Sequence, residues 1–213
     1  FLFGTGFLTT HLLSKVIDVS GIVETNDLEL FRFHFPLDRD GSTTTQLIPK
    51  IENAWKGFHS STNELYNGYN QMEYNTSFKY HLHTEHQKEI ARIGTEEFMK
   101  LLPYVLTFIP NIEKVEILDN VQNEVLAFSK AEFSNNDSIL TIQKNCNGVI
   151  SQIYILNASN SKVTIATEVE KVDNGYEIKS HRDIPKLFCD FPLIGTEAFH
   201  FPVIVNSFYF NPQ

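Results

Sequence analysis

A change of hydrophobic period part-way along the chain is the strongest constraint on its fold. After Val115 come short apolar runs: Ile139-Leu140-Thr141-Ile142, Ile150-Ser151-Gln152-Ile153-Tyr154-Ile155, Lys162-Val163-Thr164-Ile165-Ala166 and Tyr176-Glu177-Ile178. They are parted by Asn145-Cys146-Asn147-Gly148, Asn157-Ala158-Ser159-Asn160 and Asp173-Asn174-Gly175. Short β-prone runs separated by Asn and Gly, which tolerate positive φ, predict an antiparallel meander. Earlier in the chain the spacing widens. Leu47, Ile48, Ile51, Ala54, Trp55 and Phe58 form a stripe at the helical period, and Ile90, Ile93, Phe98, Leu101, Leu102 and Val105 predict one or two further helices over 84–107. Gly94 and Pro103 are candidate interruptions there.

Two half-buried strands are expected ahead of these helices. Ile17, Val19, Gly21 and Val23 alternate with polar neighbours, as do Phe31, Phe33, Phe35 and Leu37, with Thr25-Asn26-Asp27 as the turn between them. Residues 59–74, rich in Ser, Thr, Asn, Gly and Tyr, read as a long loop, and a strand resumes at Thr76. The expected class is α+β: an α/β part over 1–110 and a mainly antiparallel β region over 111–213, parted near Pro110-Asn111-Ile112.

Composition narrows the function classes. Seventeen Lys and Arg against 26 Asp and Glu give a net charge of −9, which argues against a broad grip on nucleic acid or an anionic membrane and leaves room for a local basic pocket. Cys146 and Cys189 are the two cysteines, too few for a disulfide framework or a metal knuckle, so a reducing, cytoplasmic setting is expected. No apolar run approaches the roughly 18 residues of a membrane span. The chain opens on Phe1-Leu2-Phe3-Gly4 without a basic signal-like start, and is expected to continue a longer polypeptide.

That opening carries the chemistry. Phe3-Gly4-Thr5-Gly6-Phe7 precedes Leu8, Leu12 and Val16, which predict an amphipathic helix over 6–15. Two glycines let a ligand approach the main chain, and the unpaired first N–H groups of a helix, aided by its dipole, suit phosphate. A glycine turn that merely starts a helix is the competing explanation.

The longer stretch Phe3-Gly4-Thr5-Gly6-Phe7-Leu8-Thr9-Thr10-His11-Leu12-Leu13-Ser14, followed by a strand from Ile17, resembles the second glycine box of the GHKL ATPases. That superfamily comprises gyrase, the ninety-kilodalton heat-shock chaperones, histidine kinases and MutL, and the likeness is to the chaperone and sacsin branch. The resemblance implies an ATP site in which Phe3, Gly4, Thr5, Gly6, Phe7 and Leu8 hold the nucleotide phosphates through backbone N–H groups. Asn75-Thr76-Ser77-Phe78-Lys79-Tyr80-His81-Leu82 is similar to the family's later strand, which implies that Thr76 reaches the adenine side; Asn75 stands where the family has glycine. Leu187-Phe188-Cys189-Asp190-Phe191-Pro192-Leu193 and Phe201-Pro202-Val203-Ile204-Val205-Asn206-Ser207-Phe208 resemble the coupling segment that follows the ATPase domain in sacsin-type proteins. The family's catalytic Glu, Mg²⁺-binding Asn and adenine-reading Asp would precede Phe1. The implied function is ATP binding, with Mg²⁺ and hydrolysis belonging to the complete protein, in a conformational machine that engages a client or partner protein. The rival is a non-catalytic protein-binding or scaffold module.

Other constellations give less. His81, His83 and His86 have a spacing that could serve Zn²⁺, but the first two share a strand face with Ser77 and Lys79 that suits solvent. Glu96, Glu97, Asp190 and Glu197 form no convergent pair, and Ser14, Ser207 and Cys189 lack the setting of a nucleophile. Phe199-His200-Phe201 is a candidate exposed contact for a partner.

Overall fold

The alternation around Val19 makes β1 (Val16–Glu24), which pairs antiparallel with β2 (Leu30–Asp38) on one side and β3 (Ser77–Tyr80) on the other. The computed structural model describes residues 13–62, 64–70, 72–131, 138–179, 181 and 183–210. The chain divides into two compact units, Phe1–Gly94 and Thr95–Gln213.

In the first unit the sheet order is β2-β1-β3. Register sets Val19 beside Phe35 and Phe78, and Ile17 beside Leu37 and Tyr80, so one face is apolar. Helix α1 (Thr44–Ser61) lays Ala54 and Phe58 on that face. Lys50 Nζ reaches Asp38 at 2.8 Å and ties α1 to the end of β2. Burial alone would raise the Asp38 carboxyl, but the bonds from Lys50 and the Asp40 N–H hold it below its ordinary value. The expected helix over 6–15 lies outside the described residues as far as Leu12, and Leu13–Lys15 are turn and irregular backbone. The expected loop starts at Thr62 rather than His59, because α1 runs on to Ser61. Leu65 then bridges to Phe31 along the edge of β2.

A single helix, α2 (Glu85–Phe108), passes through both Gly94 and Pro103. The two units meet inside it, at Gly94 and Thr95, whereas the composition shifts at Pro110. The physical reason is packing: Leu101, Leu102, Tyr104, Val105, Leu106 and Phe108 belong to the core of the second unit.

That unit is built on β4 (Lys114–Asp119), β5 (Glu124–Lys130), β6 (Ile139–Cys146), β7 (Val149–Ser159) and β8 (Thr164–Val172), a continuous antiparallel run. Asn147 and Gly148 at φ 50° and 90° make the β6–β7 turn, the conformation that the Asn-Gly signal predicts. β9 (Gly175–Ile178) pairs with one end of β8, and β12 (Ile204–Asn206) with the other. β10 (Leu187–Cys189) runs parallel to β12 and antiparallel to β11 (Phe191–Pro192). Phe128, Leu140, Ile142, Ile155 and Ala166 share the face that buries Leu102 and Leu106. The whole is α+β, with mainly antiparallel sheets.

Candidate functional site

Phe3, Gly4, Thr5, Gly6, Phe7 and Leu8 lie outside the described residues; Thr76 can be placed. It immediately precedes β3 and borders two cavities of the first unit. One, of about 500 Å³, is lined otherwise by apolar and aromatic side chains: Val19, Phe33 and Phe35 from the sheet, Ile51, Trp55 and Phe58 from α1, and Phe78. The other, of about 430 Å³, is polar and includes Ser20, Arg32, His34, Tyr66 and Asn75. Thr76 therefore borders both an apolar space, onto which no polar atom opens, and one with hydrogen-bonding groups.

The local sequence explains both spaces. A Cβ at residue 21 would lie 2.8 Å from Phe33 Cζ, so Gly21 is what lets the Phe33 ring lie across β1. Phe33 and Phe35 then pack at 5.4 and 5.8 Å from Phe58. On the polar side the Arg32 guanidinium lies 4.1 Å over the Tyr66 ring and donates to Tyr66 Oη at 2.7 Å. Asn75 Nδ2 donates to the carbonyls of Asn70 and Glu73, pinning the segment before Thr76. Asn75 is not among the residues of positive φ, so its backbone does not demand a glycine.

The histidines are placed differently from a metal cluster. His81 Nε2 bonds Asp18 Oδ2 at 2.8 Å, and the His83 ring lies parallel to His81 with centroids 6.1 Å apart. Among the described residues no three His, Cys, Asp or Glu side chains converge as a metal site. Glu97 pairs with Lys100 one helical turn away. The hydroxyls of Ser14 and Ser207 donate to backbone carbonyls. Asp190 turns the β10–β11 hairpin at φ 61°. Phe199 and Phe201 stack at 5.7 Å, each nearly half exposed.

The second unit brings together a cluster that the sequence patterns above do not single out. Glu168 Oε1 accepts from Lys179 Nζ and Oε2 meets His181 Nε2, both at 2.7 Å. Its backbone N–H donates to Tyr104 Oη at 3.2 Å. Burial works to raise the Glu168 carboxyl, yet the His181 and Lys179 bonds outweigh it and hold the group below its ordinary value. The Tyr104 hydroxyl is pushed up by burial. Lys186, only 6% exposed, donates through Nζ to the His181 carbonyl, and burial lowers its pKa. One signal was available: alternation in β8 puts Glu168 in phase with buried Ala166, a charge on an inward face.

No protein-family model, curated protein or solved structure matches the chain. Among the described residues no helix is long and apolar enough to cross a membrane.

Proposed function

We propose that the first unit supplies part of an ATP site of the GHKL type: phosphate contacts from the Phe3–Leu8 glycine box and a wall for the base around Thr76. The observation that carries this reading is the place of Thr76, which borders both an aromatic-lined cavity of about 500 Å³ and a neighbouring one with hydrogen-bonding side chains. A purine is flat, largely apolar on its faces and polar at its edge, and such sites combine apolar walls with a few directed polar groups. The order strand, strand, helix, strand, helix after the glycine box supports the same reading. Mg²⁺ would shield the charge of the bound triphosphate. The β-rich second unit would be the region that couples nucleotide state to a client protein in a chaperone- or sacsin-like machine.

Base and phosphate contributions separate in an amide NMR titration of this chain with adenosine and with Mg·ATP. Two phosphate contacts of about 2 kcal/mol each correspond to roughly millimolar affinity. Adenosine should shift Val19, Thr76 and Phe78, and Gly6→Val should abolish the additional response to the triphosphate while leaving the adenosine response intact. Absence of any shift at these amides with either ligand overturns the proposal. One observation favours the rival, a protein-binding module: the exposed Phe199–Phe201 stack, which would then be protected from solvent in a complex.

A further inference from the structure

Strand pairing sets Phe128 opposite Lys144, Ile142 opposite Ile153 and Ile155 opposite Glu168. On this face of the large sheet the apolar row Leu140, Ile142 therefore ends in Lys144, and the row Ile155, Ile153 ends in Ser151. The sheet, α2 and the segment around His181 enclose a cleft of about 830 Å³ here. Met99, Pro103, Ile153 and Ile184 give it apolar walls, while Lys100, Lys144, Lys179 and His181 face Glu168 and Asp183 as its charges.

The charges are not equally committed. Glu168 is engaged by Lys179 and His181, and Lys100 is engaged by Glu97. Lys144 has no carboxylate partner among the described residues; its Nζ lies 5.7 Å from the centre of the Phe128 ring. Another wall of the same cleft is held in advance, because Lys186 anchors the His181 carbonyl and Tyr104 anchors the Glu168 backbone. A wall fixed before binding loses little freedom when a ligand arrives. An uncommitted ammonium next to apolar walls suits an anion that also has an apolar body. The net charge of −9 disfavours bare polyanions, so a single charged head group is the better match.

We propose that this cleft of the second unit binds a small organic monoanion, a carboxylate or sulfonate, with Lys144 meeting the head group and Met99, Pro103 and Ile153 meeting the body. The site goes beyond the nucleotide reading and does not rest on it, since every residue it uses belongs to the second unit.

Amide NMR titrations with 2-naphthoate, its neutral counterpart 2-naphthalenemethanol and inorganic phosphate separate body from head. The expected result is saturable shifts centred on Lys144, Ser151 and Ile153 with 2-naphthoate, and binding weaker by about tenfold or more for each of the other two, the loss expected for one charge-assisted hydrogen bond or for the apolar body. Lys144→Gln should weaken naphthoate about tenfold and Lys144→Arg should restore it, with melting temperatures of both variants near that of the parent. The proposal is overturned if naphthoate gives no saturable shifts at these amides, if the alcohol binds as tightly, or if Lys144→Gln binds as the parent does.

Discussion

The two units spend their apolar residues differently. In the second, residues from α2, β5 to β8, β10 and β12 close on one another, with Leu102, Leu106, Ile142, Ile155 and Phe188 fully buried. In the first, the buried apolar group among the described residues is Ile17, Val19, Leu37 and Ala54, while Ile51, Trp55 and Phe78 stay substantially exposed around the Thr76 cavity. Interiors packed like crystals resist loss of volume, whereas a face that is partly open has less to lose. Among the described residues, one unit thus closes its apolar side chains into a core and the other leaves an apolar space partly open.

The largest break in that contrast comes from the middle of the second core. Phe188 is fully buried and packs 5.2 Å from Phe108, so Phe188→Ala should cost about 3–5 kcal/mol by denaturant titration. Ile17→Val, in the smaller core, should cost about 0.5–1.5 kcal/mol. Equal losses would contradict the difference drawn between the units.

A second break is electrostatic. Glu168→Gln leaves Lys179 and His181 without a carboxylate and should cost about 1–3 kcal/mol at neutral pH. The sign with pH follows from the lowered carboxyl. A group whose folded pKa is depressed contributes fully above its ordinary value, here 4.5, and loses that contribution as pH falls through the folded value. The parent should therefore lose more stability than Glu168→Gln as pH drops below 4.5, and parallel pH profiles for the two proteins would refute this assignment.

The first unit is sensitive to added volume in one place. Gly21→Ala puts a Cβ at 2.8 Å from Phe33 Cζ and 3.3 Å from the Asn75 carbonyl. The ring must shift to clear the added Cβ, at a cost of about 1–3 kcal/mol. The same variant should weaken the adenosine response, because Phe33 lines the cavity. A stable variant with unchanged shifts would separate Phe33 from the site.

What could be read in the sequence was what repeats locally. Alternation at Ile17–Val23 marked strand and face together, the short apolar runs Ile139–Ile142 and Ile150–Ile155 marked strands without a face, and Asn147-Gly148 marked its turn because few other residues reach positive φ cheaply. The parallel contact of β10 with β12 was not legible, since neither strand exceeds three residues and their pairing depends on a tertiary neighbour. Periodicity along α2 is continuous, so it could not reveal that Ile90 and Ile93 stay half exposed while Leu101, Leu102 and Val105 are buried. Thr76 was singled out by its motif, and its place at the start of a strand is where the structure has it. Glu168 and His181 were missed because a charge on an inward face gains meaning only when its distant partners are known.

The smallest effect tests the open side of the first unit directly. Trp55 is the chain's single tryptophan and is 64% exposed, with its indole 4.4 Å from the His59 ring on the same face of α1. Full burial of a large apolar side chain is worth about 1.5–3 kcal/mol, so a ring with about a third of its surface covered contributes about 1 kcal/mol or less. Trp55→Ala should therefore shift stability by no more than that, well below Phe188→Ala. Because Trp55 is alone, fluorescence of the unmodified protein reports on this site without labelling: emission should lie at the long wavelength of a hydrated indole and be quenched readily by iodide. Adenosine entering the neighbouring cavity should lower iodide access without changing the stability of the second unit. A short-wavelength emission resistant to iodide in the free protein would mean that this face is covered, and the comparison between an open unit and a closed one would fail at its most exposed residue.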